Sequence, residues 1–260
     1  MADGPNPLVV AWSIRRSLKR VRPPRPTGTS GVNHHLLEGP LRHLAEGGPR
    51  VLPEIGEMVR PYLDWAGSVD PDLLERNEAL AMWVNLYNAG TLLLASTAGR
   101  AGESSVLRVP SGFRRPFVDV AGESLSLDAI EHAKVRRFGD PRVHAALVCG
   151  SVSCPTLSPE PYRGPDLSDR LDHQMSHLLG QGALVVDERS NRVQLSKVFL
   201  WYGADFVRPS RMPTFAPARR RAVLAALTPW IDPDLASRLT TARPRIEFQP
   251  YDWGLACAIG

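Results

Sequence analysis

The chain has 260 residues, of which 43% are hydrophobic and 22% charged. This is the composition of an ordinary globular protein and excludes a chain that is disordered throughout. The 21 glycines and 24 prolines assign a large share of the length to loops, which excludes a coiled coil or a long helical array.

The net charge of +4 is concentrated at the start of the chain. Residues 1–30 hold six cations and one acid, a net charge of +5, so residues 31–260 carry −1. A solvated arm is the simplest interpretation of this run, and a weak contact with anionic lipid or RNA is the alternative. No groove-reading or base-stacking element accompanies the cations, which excludes a specific nucleic-acid-binding domain.

No segment predicts export or a membrane span. The apolar residues 8–14 are too few and precede the cations, which is the reverse of a signal peptide, and the apolar residues 79–95 are interrupted by polar ones. Three cysteines cannot form a disulfide framework. We therefore expect a cytoplasmic protein with reduced thiols.

Residues 1–31 end in RPPRPTGTSG, a composition typical of a flexible linker. The sequence therefore predicts a basic, Pro-rich flexible arm over 1–31 and one domain over 32–260. Short helical pieces such as residues 54–65 follow the arm.

The longest predicted helix covers residues 71–98, with Asp70 as its cap and Gly99 as its terminator. Its apolar residues cover most of the circumference, so we expect it to be buried on several sides. Asn85 and Asn88 lie three apart on one face of this helix. Buried amides need partners, which are either neighbouring loop backbone or a ligand.

A second helix is predicted over residues 127–138, between Ser126 and Gly139. The helical spacing places the Glu131 carboxylate on its apolar side. Residues 143–149 are short and nearly all apolar, which predicts a central strand covered on both faces.

The rest of the chain mixes helices with short strands. The patterns predict a helix over 167–179, a hairpin of 183–186 with 193–195, a helix over 219–227 and an edge strand over 245–248. There is no strict alternation of strand and helix. The expected fold class is therefore α+β, with helices packed around a small central sheet.

The densest group of reactive side chains is CGSVSCP, residues 149–155. A nucleophilic Cys149 would need a base within hydrogen-bond reach and donors for an oxyanion. Ser151, Ser153 and the adjacent backbone amides can supply the donors. His132 is favoured as the base, because on the predicted strand His144 points away from Cys149.

Several assignments stay open at this group. Either Asp128 or Glu131 can hold the His132 imidazole in one tautomer, and Cys154 is an alternative nucleophile or a resolving thiol. A cysteine is more often a small buried hydrophobe than a nucleophile. The competing prediction is thus a non-enzymatic interaction module that docks a partner on the aromatic residues 199–206 or on the basic arm.

A structural zinc site is the third alternative. Cys149, Cys154 and a histidine supply three of the four ligands that zinc requires. His173 and His177 lie four apart on one predicted helix, but HQMSH lacks the glutamate of the metalloprotease signature. We predict no metal site and no cofactor.

A series of motifs over roughly residues 70–255 resembles the bacterial members of the family called domain of unknown function 547. The motifs are WVNLYNA, SLDAIEH, DPRVHAALVCGSVSCP, LSKVFLWYGADF and YDWGLA. The resemblance implies a site at the family's recurring positions: Asn85, Asn88, Glu131, His132, His144, Cys149, Cys154, Trp201, Tyr202, Asp205 and Asp252.

The resulting hypothesis is a cysteine-dependent hydrolase or acyl transferase acting on an amide or ester in a small molecule or peptide. Papain-like and transglutaminase-like enzymes are the analogy. The catalytic candidates are Cys149, His132, Glu131, Asp128 and Cys154. The candidates for substrate binding are Asn85, Asn88, His144, Ser151, Ser153, Tyr202 and Asp205.

Overall fold

In the computed structural model, residue 4, residues 6–214 and residues 217–260 are described. The helices in chain order are α1 Pro7–Arg20, α2 Glu38–Gly47, α3 Leu52–Gly67, α4 Arg76–Arg100, α5 Leu127–Ala129, α6 Val143–Ala146, α7 Leu167–Leu178, α8 Val198–Trp201, α9 Gly203–Val207, α10 Arg220–Leu227 and α11 Pro233–Ala242. The strands are β1 Val118–Val120, β2 Glu123–Leu125, β3 Leu184–Asp187, β4 Arg192–Leu195 and β5 Arg245–Phe248.

Helix α4 is the centre of the larger hydrophobic core and packs along α3. Nearly every residue from Glu78 to Leu92 is buried, as predicted from its apolar circumference. The helix begins later than predicted, because Leu74 and Glu75 adopt extended backbone. The Glu75 carboxylate, rather than Asp70, caps it by accepting hydrogen bonds from the amides of Asn77 and Glu78.

The second predicted helix begins at α5 and continues as a π-helical turn over Ile130–Lys134 and a 3₁₀ turn over Val135–Phe138. The Ser126 hydroxyl accepts a hydrogen bond from the Ala129 amide at 3.2 Å. Gly139 ends the helix with a φ of 78°, a left-handed conformation that favours glycine. The π-helical turn carries Glu131, and such turns recur at functional sites.

The strands form two small sheets, so the α+β class is confirmed. β1 and β2 form an antiparallel pair. In the second sheet, β4 lies between β3, to which it is antiparallel, and β5, to which it is parallel. This sheet packs with α7, α9 and α10 in a second, smaller hydrophobic core.

The predicted strand over residues 143–149 is wrong. Val143–Ala146 form the short helix α6, and the residues after it run extended to Gly150 without pairing as a strand. An apolar run of this length cannot be assigned to strand or buried helix by periodicity alone. The argument that placed His144 and Cys149 on opposite faces of a strand therefore does not apply.

The described residues of the predicted arm contact the domain. α1 buries Ser13, Ile14 and Ser17, and the Ser13 hydroxyl donates a hydrogen bond to the Asp128 carboxylate. After α1, the Arg25 amide donates to the Asp72 carboxylate at 2.7 Å. Proline prevents helix in this connection, but its extended backbone still finds partners on the domain. None of the helices among the described residues is long and apolar enough to cross a membrane.

Candidate functional site

A network of buried polar side chains joins the two cores. The Glu131 carboxylate on the π-helical turn accepts hydrogen bonds from the Tyr202 hydroxyl at 2.5 Å and the Tyr87 hydroxyl at 3.1 Å. Burial acts to raise the pKa of Glu131, but the electrostatic interaction with His132 and the hydrogen bond from Tyr202 outweigh it, and the charge of Arg136 adds to them, so this pKa lies below its ordinary value. Glu131 is therefore a buried carboxylate at neutral pH.

The second part of the network is an ion pair between Arg136 and Asp205. The guanidinium donates two hydrogen bonds to the carboxylate, from Nε at 2.8 Å and from the second terminal nitrogen at 3.0 Å. The His144 Nε2 lies 2.9 Å from the same carboxylate, and the His144 ring stacks on Tyr202 with 3.9 Å between centroids. Burial opposes the charge of Asp205, yet these partners hold the pKa of Asp205 well below its ordinary value.

His132 belongs to this network. Its Nδ1 lies 3.2 Å from the Arg136 guanidinium and 3.6 Å from the nearer Glu131 oxygen. Arginine can only donate, so Nδ1 accepts and the ring proton is on Nε2. Burial lowers the pKa of His132 to about 4, and the imidazole is neutral at pH 7.

The cysteine group lies on the loop after α6. The Cys149 sulfur lies 3.0 Å from the Ser151 hydroxyl and 3.3 Å from the Tyr251 hydroxyl, and the Cys149 amide donates to the Cys154 sulfur at 2.7 Å. Gly150 turns the chain with a φ of 79°, which brings Ser151 back onto the sulfur. The residues Cys149 and Cys154 are partly exposed, and both are free thiols.

The two thiols differ in acidity. The hydrogen bond from Cys154 is the largest cause that lowers the pKa of Cys149 to about 7; burial opposes it, and the hydroxyls of Ser151 and Tyr251 add to it. Burial raises the pKa of Cys154 well above its ordinary value. Cys149 is thus the thiol that ionises near neutral pH.

The predicted hydrogen bond between Cys149 and His132 is absent among the described residues, where the partners of the Cys149 sulfur are hydroxyl and thiol groups. The His132 ring instead faces Arg136 and Glu131, as given above. Asp128 does not orient His132 either, because its carboxylate is paired with Ser13 of α1. Burial, and next the charge of Glu131, raise the pKa of Tyr87 and of Tyr202, and the negative charge of Cys149 adds a smaller contribution in the same direction.

The two asparagines of α4 hold loop backbone, which was one of the two alternatives. Asn85 donates to the Tyr162 carbonyl at 2.8 Å and accepts from the Tyr162 amide at 2.9 Å. Asn88 donates to the Ala146 carbonyl at 2.9 Å and accepts from the Val148 amide at 3.1 Å. Asn88 therefore sets the path of the chain that leads from α6 to Cys149.

Replacing Asn88 with alanine is expected to destabilise the protein by about 1–3 kcal/mol, because a buried carbonyl and a buried amide lose their partner. Urea unfolding measures this loss. Asn77→Ala on the same helix is the matched control, since Asn77 is exposed and its side chain makes no hydrogen bond among the described residues. Equal midpoints for the two variants would contradict a structural role for Asn88.

Ser153 also has a structural role. Its hydroxyl accepts from the Asp252 amide at 2.9 Å, and its own amide donates to the Asp252 carbonyl at 3.2 Å. The Val152 amide donates to the Gly254 carbonyl. These two amides hold the C-terminal segment and are not available to an oxyanion, which leaves the hydroxyls of Ser151 and Tyr251 beside the sulfur.

Three residues of the site had no predicted role: Tyr87, Arg136 and Tyr251. Arg136 follows His132 by four residues, which on a helix places them on one face, so this spacing was a usable signal. Tyr251 lies in the YDW motif, but its contact with Cys149 spans 102 residues of sequence. No local pattern indicates such a pairing.

The structure gives no support to the structural zinc site. Among the described residues, there is no group of three or more His, Cys, Asp or Glu side chains that could hold a metal ion. His173 and His177 lie side by side on α7 with 6.3 Å between ring centroids. They are separate from the cysteine group.

Comparison with protein families gives a match over part of the chain. Residues 71–179 match the family described as "Protein of unknown function, DUF547". This segment is a DUF547 domain. The matched residues include Glu131, His132, Cys149 and both asparagines, whereas Asp205 and the other site residues after 179 lie C-terminal to them. No curated protein and no solved structure matches the chain.

Proposed function

We propose that the protein is a cysteine-dependent hydrolase or acyl transferase that acts on an amide or ester, with Cys149 as the nucleophile. The observation that carries the proposal is a partly exposed residue, Cys149, whose thiol lies beside three donors that lower its pKa to about 7. Such a thiol is about half ionised at pH 7, and the thiolate is the reactive form.

In the proposed reaction, the Cys149 thiolate adds to the substrate carbonyl carbon. The Ser151 and Tyr251 hydroxyls, within 3.3 Å of the sulfur, donate hydrogen bonds to the developing oxyanion. Burial keeps the pKa of Tyr251 above its ordinary value, so its hydroxyl retains its proton and remains a donor. Collapse of the tetrahedral adduct breaks its bond to the leaving nitrogen or oxygen, which takes a proton from solvent and departs as the amine or alcohol, and leaves a thioester on Cys149. Water or an acceptor nucleophile then cleaves the thioester, gives its proton to solvent and restores the Cys149 thiolate.

The buried network supports this reaction by positioning. Asp205 and Arg136 are sealed from solvent, so we assign them, with His144 and His132, to holding Glu131 and Tyr202 in place. Tyr202 and Tyr87 in turn donate hydrogen bonds to Glu131. In this arrangement the donors around the sulfur, rather than a histidine base, generate the thiolate.

We further propose a cytoplasmic location, since the reaction requires Cys149 as a thiol and a reducing compartment keeps it in that form. The substrate class is an amide or ester in a small molecule or peptide. We assign no cofactor to the reaction.

The proposal is tested by alkylation with iodoacetamide from pH 5 to 9, followed by peptide mapping. Cys149 is expected to react with a midpoint near pH 7. Cys257 is the internal control, because burial raises its pKa to about 12 and it stays unlabelled. Cys154→Ala removes the main donor, so it is expected to move the Cys149 midpoint toward that of an ordinary thiol and to slow labelling at pH 7.

Uniformly slow labelling of all three thiols at pH 7 would defeat the proposal. Activity is then tested with p-nitrophenyl acetate under single-turnover conditions. We expect one acetyl group on Cys149, detected by mass spectrometry, and none on the Cys149→Ser variant. Acetylation that persists in Cys149→Ser would place the nucleophile elsewhere.

One observation favours the interaction module as a second candidate. Leu200 and Trp201 are 50% and 43% exposed, and Trp201 contacts the rings of Tyr251 and Trp253. An exposed aromatic group of this kind suits a docking peptide. If the module is correct, Trp201→Ala abolishes binding of a partner while labelling of Cys149 shows no lowered midpoint.

A further inference from the structure

The buried side of helix α1 is more polar than part of its exposed side. Its inward side carries two serines, Ser13 and Ser17, with Ile14. Its outward side begins with apolar residues, since Leu8 is 80% exposed and Trp12 is 54% exposed. In an ordinary surface helix the apolar stripe faces the core, so the exposed side of α1 is suited to a second apolar surface.

The same outward side carries a dense positive charge. The exposed cations are Arg15, Arg16, Lys19 and Arg20. None of the four forms an ion pair with an acid among the residues that the structure describes, in contrast to Arg22, whose guanidinium lies 3.6 Å from Glu123. These charges are therefore available to an external anionic partner.

The spacing combines the two features in one stripe. Leu8, Trp12 and Arg16 follow each other at four-residue intervals, and Arg15 and Lys19 flank them, so all five lie on one side of the helix. The Arg16 guanidinium lies 5.2 Å from the Trp12 ring centre. The stripe is apolar in its first two turns and cationic in its last two.

We propose that α1 binds the surface of an anionic lipid bilayer, lying in the interfacial plane. Leucine, valine and tryptophan enter the boundary between headgroups and acyl chains, while the cations pair with lipid phosphates. RNA would pair with the cations but leave Leu8 and Trp12 in water. The charge asymmetry of the chain, +5 over residues 1–30 and −1 over the rest, orients the protein with α1 toward the membrane.

Sedimentation of the full-length protein with phosphatidylcholine vesicles, with and without 30% phosphatidylglycerol, tests this proposal. Binding is expected only with phosphatidylglycerol and is expected to weaken as NaCl rises from 0.1 to 0.5 M. Arg15→Ala/Arg16→Ala/Lys19→Ala/Arg20→Ala is expected to reduce affinity at least about tenfold. Leu8→Ser/Trp12→Ser is expected to abolish binding with no change in Tm, because both side chains are exposed.

The matched control neutralises four exposed cations elsewhere, Arg42, Arg50, Arg189 and Arg221, and is expected to leave vesicle binding within about twofold. Equal loss in this control would show a net-charge effect and overturn the proposal. So would binding to poly(U) without binding to vesicles, or a dimer in solution that Leu8→Ser/Trp12→Ser dissociates. Absence of vesicle binding would also overturn it and would leave the Cys149 proposal intact.

Discussion

Replacing Asp205 with asparagine is expected to destabilise the protein by about 3–5 kcal/mol, the cost of leaving a buried charge without its partner. Asp205 is fully buried and accepts two hydrogen bonds from Arg136, which is itself buried. The same carboxylate lies against His144 and accepts from the Thr214 amide at 3.1 Å. The variant keeps the shape but loses the negative charge among these donors.

Urea unfolding at pH 7 measures this loss, with Asp169→Asn as the matched control. Asp169 is exposed, and its replacement is expected to change stability by less than about 0.5 kcal/mol. The pKa of Asp205 is below its ordinary value, so its contribution is complete above the unfolded carboxyl pKa and is lost as pH falls through the folded one. A loss in Asp205→Asn no larger than in Asp169→Asn would show that the network does not stabilise the fold.

Asp128 is expected to make the protein less stable as pH rises, the opposite direction to Asp205. Burial raises the pKa of Asp128 from 3.8 to about 7, so the folded state retains a proton that the unfolded state releases. The stability that this proton supplies is complete below about pH 4 and is lost as pH rises toward 7. The change is about 4 kcal/mol at most.

Comparison of Asp128→Asn with the wild type isolates this effect. The variant resembles the protonated carboxyl, so it is expected to equal the wild type in stability near pH 4 and to exceed it at pH 8. The pH dependence of wild-type stability alone does not isolate Asp128, because two histidines change it as well. Burial lowers the pKa of His34 and His132 to about 4, so both destabilise the folded state as pH falls below 6.5. Both histidines are present in wild type and variant, and their effect cancels in the difference.

The control is Asp64→Asn, since Asp64 is exposed on α3. Its stability difference from the wild type is expected to be the same at pH 4 and pH 8. A flat difference for Asp128→Asn as well would mean that Asp128 titrates as an ordinary surface carboxyl. In that case α1 would not shield it from water.

The local elements of the fold were predictable from the sequence. The periodicity of residues 71–98 and 127–138 indicated buried helices, and turn residues between 183–186 and 193–195 indicated the hairpin that β3 and β4 form. The helical spacing also indicated that Glu131 is buried on an apolar side. These patterns extend over only a few residues, so the sequence near each element is enough to predict whether it is a helix or a strand.

The motifs supplied candidate site residues, whose role stays a prediction, but they missed Tyr87, Arg136 and Tyr251 and did not give the pairings that the structure contains. The motifs identified Glu131, Cys149 and Asp205 as candidates, but the expected hydrogen bond between Cys149 and His132 does not form. One error came from the strand predicted over residues 143–149. Side chains alternate between the two faces of a strand, so that prediction placed His144 away from Cys149, but His144 lies on a helix.

The pattern of neighbouring residues predicted the long buried helix α4, the burial of the Glu131 carboxylate and the loop that carries the thiols, because these properties depend on residues a few positions apart. It missed the helices α1 and α6. The packing of the two cores pairs Arg136 with Asp205, 69 residues later, and brings Tyr251 to Cys149 across 102 residues. A buried charge or thiol takes whichever donor that packing brings within about 3 Å, and the spacing of residues along the chain does not specify it.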